Sequence, residues 1–88
     1  MTKVVNKYKE KYDVYIGRGS IFGNPFLIGE DGDRKEVIER YKIYFYDKIE
    51  NDIYFKNSVL SLKGKILGCF CKPKDCHGDI IVEYIEKE

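Results

Sequence analysis

The sequence contains no alanine, glutamine or tryptophan, and it has only two prolines and one histidine. It also lacks a long apolar run, so no segment approaches the ~20 apolar residues that a transmembrane helix needs. Its charges do not favour one sign, because 16 basic and 15 acidic residues leave a net charge of +1. Duplex-DNA-binding proteins and polybasic membrane-surface proteins usually carry a clear basic excess. These absences argue against a membrane protein and against duplex nucleic acid as a partner.

The residues that are present suit one small globular domain. The 88 residues are 43% apolar and 35% charged, and eight tyrosines and five phenylalanines supply much of the core volume. The first residues, Met1 to Lys7, show neither the apolar core nor the cleavage site of a secretion signal. We therefore expect a single domain over residues 1–88, located in the cytoplasm. A homodimer is compatible with this size, because small domains often self-associate to enlarge their core.

The hydrophobic pattern predicts the order of secondary-structure elements. Alternation indicates strands at residues 3–7 and 12–17, with a short edge strand at residues 27–28. Asp33 and Glu36 fit a capping box, and apolar residues follow at helical spacing as far as Ile49. A second helical segment covers residues 53–62, residues 65–71 resemble a strand buried on both faces, and residues 80–87 form a terminal helix. This order predicts a small α/β sandwich of two or three layers, with helices packed on a short mixed or parallel sheet.

Two of the predicted strands end in loops that are rich in turn-forming and polar residues. One loop covers residues 17–26 (GRGSIFGNPF), and the other covers residues 71–79 (CKPKDCHGD) and leads into the last helix. In an open α/β sheet, ligands bind outside the carboxyl ends of the strands. If the two strands are parallel neighbours, both loops lie at the same edge of the sheet. We therefore expect the loops to form one pocket.

The chemistry of this pocket would suit an anion. Arg18 supplies a permanently charged fork for phosphate or carboxylate, and Ser20 and the glycine N–H groups add donors. The last helix begins near Gly78, so its free N–H groups and positive dipole end are expected to face the loop. The alternative is a glycine-rich turn with a surface arginine, because Gly-Arg-Gly-Ser is not an established phosphate-binding pattern. The expected ligand-binding residues are Gly17, Arg18, Gly19, Ser20, Asn24, Pro25, Phe26, Cys71, Cys76, His77, Gly78 and Asp79.

A metal site is the alternative for the cluster of Cys69, Cys71, Cys76 and His77. These residues offer four nitrogen or sulfur groups, the number that tetrahedral zinc takes. On an extended strand, however, Cys69 and Cys71 would stand about 6.6 Å apart, whereas two sulfurs on one zinc are roughly 3.8 Å apart. We therefore expect no cofactor. A structural zinc or protein-interaction module built on these residues stays open as an alternative.

Cys76 and His77 are the candidates for catalysis. His77 can exchange a proton near neutral pH, although its ring is equally suited to capping the last helix or bonding a loop carbonyl. Cys76 precedes a helix and lies near two lysines, which is expected to lower the pKa of its thiol. The side chains of sequence neighbours usually diverge, which disfavours a nucleophilic Cys–His pair. Cys69 and Cys71 are expected to be buried thiols.

The motifs around both loops resemble a known family. Residues 14–20 (VYIGRGS) with 23–26 (GNPF), followed by residues 67–73 (LGCFCKP) and 76–79 (CHGD), are similar to the family called domain of unknown function 4326. The usual run of that family has tryptophan where this chain has Phe22 and Phe70, an exchange of one aromatic residue for another. The resemblance covers nearly the whole chain. It implies a small α/β protein of phage or bacterial origin, and it implies no particular reaction.

These features together predict a protein that binds a small phosphorylated ligand, namely a nucleotide or a nucleotide-derived molecule. In a phage, such a protein would sequester or alter a host signalling nucleotide in the host cytoplasm. The second expectation is an enzyme on the same pocket, a nucleotide-processing hydrolase or transferase that uses His77 or Cys76. Binding ranks above catalysis, because the chain shows no paired carboxylates of the kind that glycoside hydrolysis uses.

Overall fold

The computed structural model describes residues 2–72 and 74–87. In chain order, the elements are β1 (Lys3–Asn6), β2 (Val14–Tyr15), α1 (Arg34–Asn51), α2 (Ile53–Leu60), β3 (Ile66–Cys69) and α3 (Gly78–Lys87). The strands form one sheet of order β1-β3-β2, in which both neighbouring pairs are parallel. The expected α/β fold is thus confirmed, and the sheet is parallel. Across the two described ranges, no helix has both the length and the apolar character needed to cross a membrane.

β3 is the central strand, and its position follows from its apolar sequence. Leu67 is completely buried and pairs with Val4 on one side and Val14 on the other, so these three side chains share one face of the sheet. Gly68 lies on the opposite face, where a Cβ atom would stand 2.6 Å from Cγ of Tyr12. Because all three strands run in the same direction, their carboxyl ends lie together at one edge of the sheet.

The three helices pack on the face of the sheet that carries Leu67. The capping box at the start of α1 forms as expected: the Glu36 N–H donates to the Asp33 carboxylate at 2.9 Å, and the Asp33 N–H donates to the Glu36 carboxylate at 3.0 Å. Most of the buried helix residues belong to one core cluster with Leu67; these are Tyr41, Phe45, Ile49, Phe55, Val59, Ile80, Ile81, Tyr84 and Ile85. On the other face of the sheet, the Tyr12 side chain from the segment between β1 and β2 lies over Gly68. Because the helices pack on one face of the sheet only, the fold has two layers.

The edge strand expected at residues 27–28 is not present, and this segment forms turns instead. The Leu27 carbonyl accepts hydrogen bonds from the Glu30 N–H at 3.2 Å and the Asp31 N–H at 2.8 Å. The Asp31 carboxylate in turn accepts from the Leu27 N–H at 2.8 Å. Gly32 follows with a φ of +133°, a conformation that glycine adopts readily. These local hydrogen bonds satisfy backbone N–H and C=O groups that, in a strand, would have to pair with a neighbouring strand.

Other elements differ from the expectations only in their ends. β2 and β3 are shorter than the apolar runs that indicate them, because turns begin directly after Ile16 and Cys69. α2 ends at Leu60, two residues before the expected end, and α3 begins at Gly78, two residues before the expected start. The expected loop between β3 and α3 includes Pro73, which lies outside the described residues.

The capping box of α1 gives a test of the helix start. Replacing Asp33 with alanine removes the acceptor for the Glu36 N–H, and such a loss costs about 1 kcal/mol of unfolding free energy. Chemical denaturation of Asp33→Ala should show this decrease. Glu39→Ala, an exposed position on the same helix, is the matched control and should change the free energy by less than about 0.5 kcal/mol. Equal effects of the two substitutions would contradict a specific role for the cap.

Candidate ligand-binding pocket

The two motif loops meet at a cavity of about 190 Å³ at the carboxyl ends of β2 and β3. The first loop contributes Gly17, Arg18, Asn24 and Phe26 to its walls, and the second contributes Cys71, Asp75 and His77. Phe70 and Cys69 of the β3 end also line it. The expectation that both loops share one edge of the sheet is therefore correct, since described residues of both loops line the same space.

A hydrogen bond from His77 joins the two loops. Nε2 of His77 lies 2.7 Å from the Ile16 carbonyl oxygen, and both residues are buried. Because a carbonyl oxygen only accepts, Nε2 carries the proton and Nδ1 is the unprotonated nitrogen of the neutral ring. His77 also packs edge-on against the ring of Tyr41 on α1, with the ring centroids 5.1 Å apart. Of the roles expected for His77, the hydrogen bond to a backbone carbonyl is therefore the one that the structure shows.

The first loop is held in shape by its own polar side chains. The Ser20 hydroxyl donates to the Gly17 carbonyl at 2.7 Å, and the Asn24 carbonyl oxygen accepts from the Phe26 N–H at 2.9 Å. The Asn24 amide also donates to the Val37 carbonyl of α1 at 3.1 Å. Ser20 and Asn24 therefore shape the loop, and each of these side chains forms hydrogen bonds within the protein.

A close approach of two backbone segments completes the loop. A Cβ atom at Gly23 would lie 2.7 Å from the Gly17 carbonyl oxygen, so no larger residue fits at position 23 without displacing the turn. The Phe22 carbonyl nearby accepts a hydrogen bond from the buried Tyr41 hydroxyl at 2.8 Å, and burial raises the pKa of Tyr41 well above its usual range. The loop is thus anchored to α1 at two points, through Asn24 and Tyr41.

Two arginines bring positive charge to the cavity. Arg18 is exposed and forms no salt bridge within residues 2–72 and 74–87, while the Tyr15 hydroxyl fixes its backbone by donating to its carbonyl at 2.9 Å. Arg34 comes from the first turn of α1, where one of its guanidinium nitrogens donates to the Asp75 carbonyl at 3.2 Å. Sequence reasoning missed Arg34, because nothing in its position inside the capping box indicates that it reaches the second loop.

The start of α3 does not offer the free N–H groups that were expected there. The N–H groups of Asp79 and Ile80 donate to the carbonyls of Cys76 and His77, both at 3.0 Å. The Asp79 carboxylate accepts from the Cys76 N–H at 3.2 Å and pairs with Lys72 Nζ at 2.6 Å. A negative side chain already occupies the positive end of this helix. The helix start is therefore unsuited to bind a phosphate.

Several of the expected ligand-binding residues lie away from the cavity. Gly78 packs against the sheet, since a Cβ atom there would lie 2.7 Å from Cδ1 of Ile16. Gly19, Ser20 and Pro25 line a neighbouring depression on the other side of the first loop, which shares Arg18 and Asn24 with the cavity. Cys76 is buried behind the cavity wall, and Asp79 faces Lys72.

The cysteines form a pair that the sequence did not predict. The thiol of Cys76 lies 3.0 Å from the sulfur of Cys69 and 3.6 Å from Nδ1 of His77. The hydrogen bond that Cys76 donates lowers the pKa of Cys69, and the same bond together with burial raises the pKa of Cys76. The expectation of an acidic Cys76 is thus wrong, as is the expectation that Cys76 and His77 diverge. Cys69 and Cys76 are buried, whereas Cys71 is half-buried.

A metal site does not form from these side chains in the described part of the chain. Within residues 2–72 and 74–87, no three histidine, cysteine, aspartate or glutamate side chains are grouped so that they could hold a metal ion. Cys69 and Cys76 have sulfurs in contact, and Nδ1 of His77 lies 3.6 Å from the Cys76 sulfur. The zinc content of the protein stays a prediction that elemental analysis of purified protein measures directly.

Burial of His77 predicts a pH dependence of stability. Desolvation lowers the pKa of His77 below its ordinary value, so the unfolded chain binds a proton at a higher pH than the folded chain does. The unfolding free energy should therefore fall as the pH drops below about 6.5, by at most about 1.4 kcal/mol per pH unit. Denaturation between pH 8 and pH 5 measures the slope. Cys69, whose pKa is lowered by the hydrogen bond from Cys76, adds a slope of the same sign, so the contribution of His77 is the part that a variant without the imidazole loses.

The variant His77→Gln separates this effect from general acid sensitivity. Its amide can still donate a hydrogen bond to the Ile16 carbonyl, but it does not titrate. The slope between pH 7 and pH 6 should become shallower in this variant, and the part due to Cys69 should remain. An unchanged slope would show that His77 titrates similarly in the folded and unfolded chains.

Comparisons with known proteins place the chain in a family. The family described as Domain of unknown function (DUF4326) matches residues 2–87. The chain is also 43% identical over 88 residues to a protein of Enterobacteria phage T4 described as "Uncharacterized 12.4 kDa protein in nrdA-td intergenic region". That alignment covers 99% of this chain and 80% of the phage protein. No solved structure matches the chain significantly. Since the family match includes both loops and all the strands and helices, the chain belongs to the DUF4326 family.

Proposed function

We propose that the protein binds a small phosphorylated ligand, a nucleotide or a nucleotide-derived molecule, in the cavity between the two loops. The observation that carries this proposal is the combination of Arg18 and Arg34 with the rings of Phe26 and Phe70 around one cavity. The cavity also lies where parallel α/β sheets usually bind ligands, at the carboxyl ends of the strands. An anion and a flat ring are the two chemical features that these side chains recognise.

The anionic part of the ligand would be held by side chains rather than by the start of a helix. The N–H groups at the start of α3 are already bonded, which leaves the guanidinium groups as the donors that line the cavity. Arg34 gives one nitrogen to the Asp75 carbonyl and retains further donors, and Arg18 forms no salt bridge in the described ranges. Planar guanidinium groups bind phosphate through paired, charge-assisted hydrogen bonds.

The flat part of the ligand would stack on an aromatic ring. Phe70 is 45% exposed at the rim of the cavity, and its ring is held from behind by Tyr8 and Tyr15, with centroids 5.4 and 5.8 Å away. Phe26 lies in the cavity wall and packs edge-on against Tyr44 at 6.2 Å. Stacking of a base on such a ring contributes about 1–3 kcal/mol to binding. Rings fixed in this way lose little entropy when a base stacks on them.

The size of the cavity limits what it can enclose. About 190 Å³ is less than the volume of sites that enclose a drug-sized ligand, which is roughly 300–1,000 Å³. The cavity therefore holds one ring or one phosphate group, and the remainder of the ligand would lie along the rim. Arg18 borders both the cavity and the neighbouring depression, so it is placed to contact the part that projects.

We favour a binding function over an enzyme in which His77 and Cys76 carry out catalysis. Both ring nitrogens of His77 are engaged within the protein, Nε2 by the Ile16 carbonyl and Nδ1 near the Cys76 thiol. A proton transfer to a ligand would first require one of these contacts to break. Cys76 does not line the cavity. An enzyme based on this pair would convert a nucleotide into product, which chromatography of an overnight incubation with the protein detects.

The similarity to a phage T4 protein supports a role during infection of a bacterium. A protein of this kind would act in the host cytoplasm, where it would sequester or alter a nucleotide that the host uses in signalling.

Self-association also stays a prediction. The exposed apolar residues Ile43, Ile53 and Tyr54 on α1 and α2 are the ones that a dimer would bury. Sedimentation of the purified protein measures this directly.

The role of Arg18 provides the test of ligand binding. A thermal-shift screen should cover inorganic phosphate, nucleoside mono-, di- and triphosphates, and cyclic and linear dinucleotides. A bound nucleotide at 100 times its dissociation constant should add about 2.7 kcal/mol to the unfolding free energy. Arg18→Ala should weaken binding of the same nucleotide by about 10-fold or more, because a hydrogen bond to a charged group is worth about 1.5–3 kcal/mol.

The matched control removes the same charge at a distance from the cavity. Lys42 is exposed on α1 and lines none of the depressions described above, so Lys42→Ala should leave the affinity unchanged. Arg18 is also exposed, so neither substitution should affect folding. The proposal would be contradicted if no phosphorylated compound stabilised the protein, or if both variants weakened binding equally.

A further inference from the structure

We propose that Cys69 and Cys76 form a redox-active dithiol, which a small hydroperoxide entering the cavity converts into an intramolecular disulfide. Their sulfur atoms are 3.0 Å apart, and both residues are 1% exposed. Cys69 lines the cavity, and Cys76 lies between Cys69 and the ring of His77. The ligand-binding proposal makes no use of this cluster, so the two inferences stand or fall separately.

The two sulfur atoms already lie close to the separation of a disulfide. A disulfide bond is about 2.05 Å long, so the two sulfurs have to approach by only about 1 Å. Cys69 is the last residue of β3, and Cys76 lies two residues before α3, so the bond would close a short loop between two regular elements. Cys71 is the one cysteine outside this pair and is half-buried, so it serves as an internal reference thiol.

The cavity determines which thiol meets an oxidant first. Its volume of about 190 Å³ is several times what one small molecule needs, since a water molecule takes about 30 Å³. A hydroperoxide therefore fits, whereas a large disulfide such as oxidised glutathione reaches the buried sulfur far less readily. Because Cys69 lines the cavity and Cys76 does not, Cys69 is the member of the pair that an entering peroxide contacts, and Cys71, which also lines the cavity, is the competing thiol.

The hydrogen bonds around the pair favour Cys69 as the nucleophile. Cys76 donates its S–H to the Cys69 sulfur, which stabilises negative charge on Cys69. Further hydrogen bonds from the backbone of Lys72 and Cys71 to Cys69 also lower its pKa, although burial opposes them. The thiolate is the form that attacks a peroxide. Cys76 keeps its proton and is suited to the second step.

The first step oxidises Cys69. Its thiolate sulfur attacks one oxygen of the hydroperoxide, a sulfur–oxygen bond forms and the oxygen–oxygen bond breaks. The sulfur becomes a sulfenic acid, and the second oxygen leaves as hydroxide or alkoxide, which takes a proton to give water or an alcohol. The peroxide is thereby reduced by two electrons, and these electrons come from the Cys69 sulfur.

The second step uses Cys76 and His77. Nδ1 of His77 is unprotonated, because Nε2 donates to the Ile16 carbonyl, and it lies 3.6 Å from the Cys76 sulfur. It accepts the Cys76 proton as this sulfur attacks Cys69. The sulfur–sulfur bond forms, the hydroxyl group leaves Cys69, and the proton on His77 completes a second water molecule. Two thiols and one hydroperoxide thus give one disulfide and two molecules of water, or one of water and one of alcohol.

The experiment treats the full chain with hydrogen peroxide, blocks the remaining thiols with iodoacetamide under denaturing conditions and maps the peptides by mass spectrometry. Two of the three thiols should disappear together, leaving Cys71 alkylated, and a peptide linked through Cys69 and Cys76 should appear. Addition of dithiothreitol should restore all three thiols. Because this readout needs no nucleotide, it gives the same result whether or not the protein binds one.

Two variants test the order of events. In Cys76→Ser, the sulfenic acid on Cys69 has no resolving thiol, so dimedone should label Cys69 and further peroxide should convert it to the sulfinic acid. Cys71→Ser is the matched control and should form the linked peptide as fast as the original chain. The proposal is overturned if Cys71 is oxidised first while Cys69 and Cys76 stay alkylated, or if the disulfide that forms joins two chains.

Discussion

The candidate site depends on the hydrogen bond between Nε2 of His77 and the Ile16 carbonyl. This bond links the end of β2 to the segment before α3 inside the protein, where an unpaired carbonyl would cost about 1–3 kcal/mol. It also fixes the ring as the tautomer with an unprotonated Nδ1, which faces Cys76. A single imidazole therefore both lines the pocket and contacts the thiol pair. An unprotonated Nδ1 is in turn what the second step of the disulfide proposal requires.

The distribution of charge at the pocket follows from which backbone groups are already bonded. The first turn of α3 uses its N–H groups on nearby carbonyls and holds Asp79 and Lys72 as an ion pair, so it presents no net charge to the cavity. Positive charge comes instead from Arg18 on the first loop and Arg34 on α1. An anion in this cavity would thus be bound by side chains from two separate parts of the chain, and its recognition would depend on how well α1 packs on the sheet.

The sequence predicted the elements with strong periodicity and the meeting of the two loops. The capping box at Asp33 and the apolar stripe of α1 are local signals, and both appear where they were expected. The parallel pairing of β2 and β3 brings both loops to one edge, which is the general rule for such sheets. The expected strand at residues 27–28 is absent because the Asp31 carboxylate and several backbone hydrogen bonds close a turn there. The apolar pattern of the sequence does not reveal this turn.

Features that depend on side-chain direction could not be read from the sequence. Cys69 shares the inward face of β3 with Leu67, and this alternation is the only sequence signal for its position beside Cys76. The participation of Arg34 left no local signal, because it depends on how α1 approaches the second loop. The backbone contacts of Ser20 and Asn24 left no signal for the same reason: Ser20 donates to the Gly17 carbonyl of its own loop, and Asn24 donates to the Val37 carbonyl of α1.

The most direct measurement of the central claim is a titration of ¹⁵N-labelled protein with a nucleoside monophosphate, followed by NMR. Binding between the two loops predicts that the largest shift changes occur together at Arg18 and Phe26 of the first loop, at Arg34 of α1, and at Phe70 and His77 around the second loop. Shift changes confined to one loop, or spread over surface lysines far from the cavity, would contradict the account.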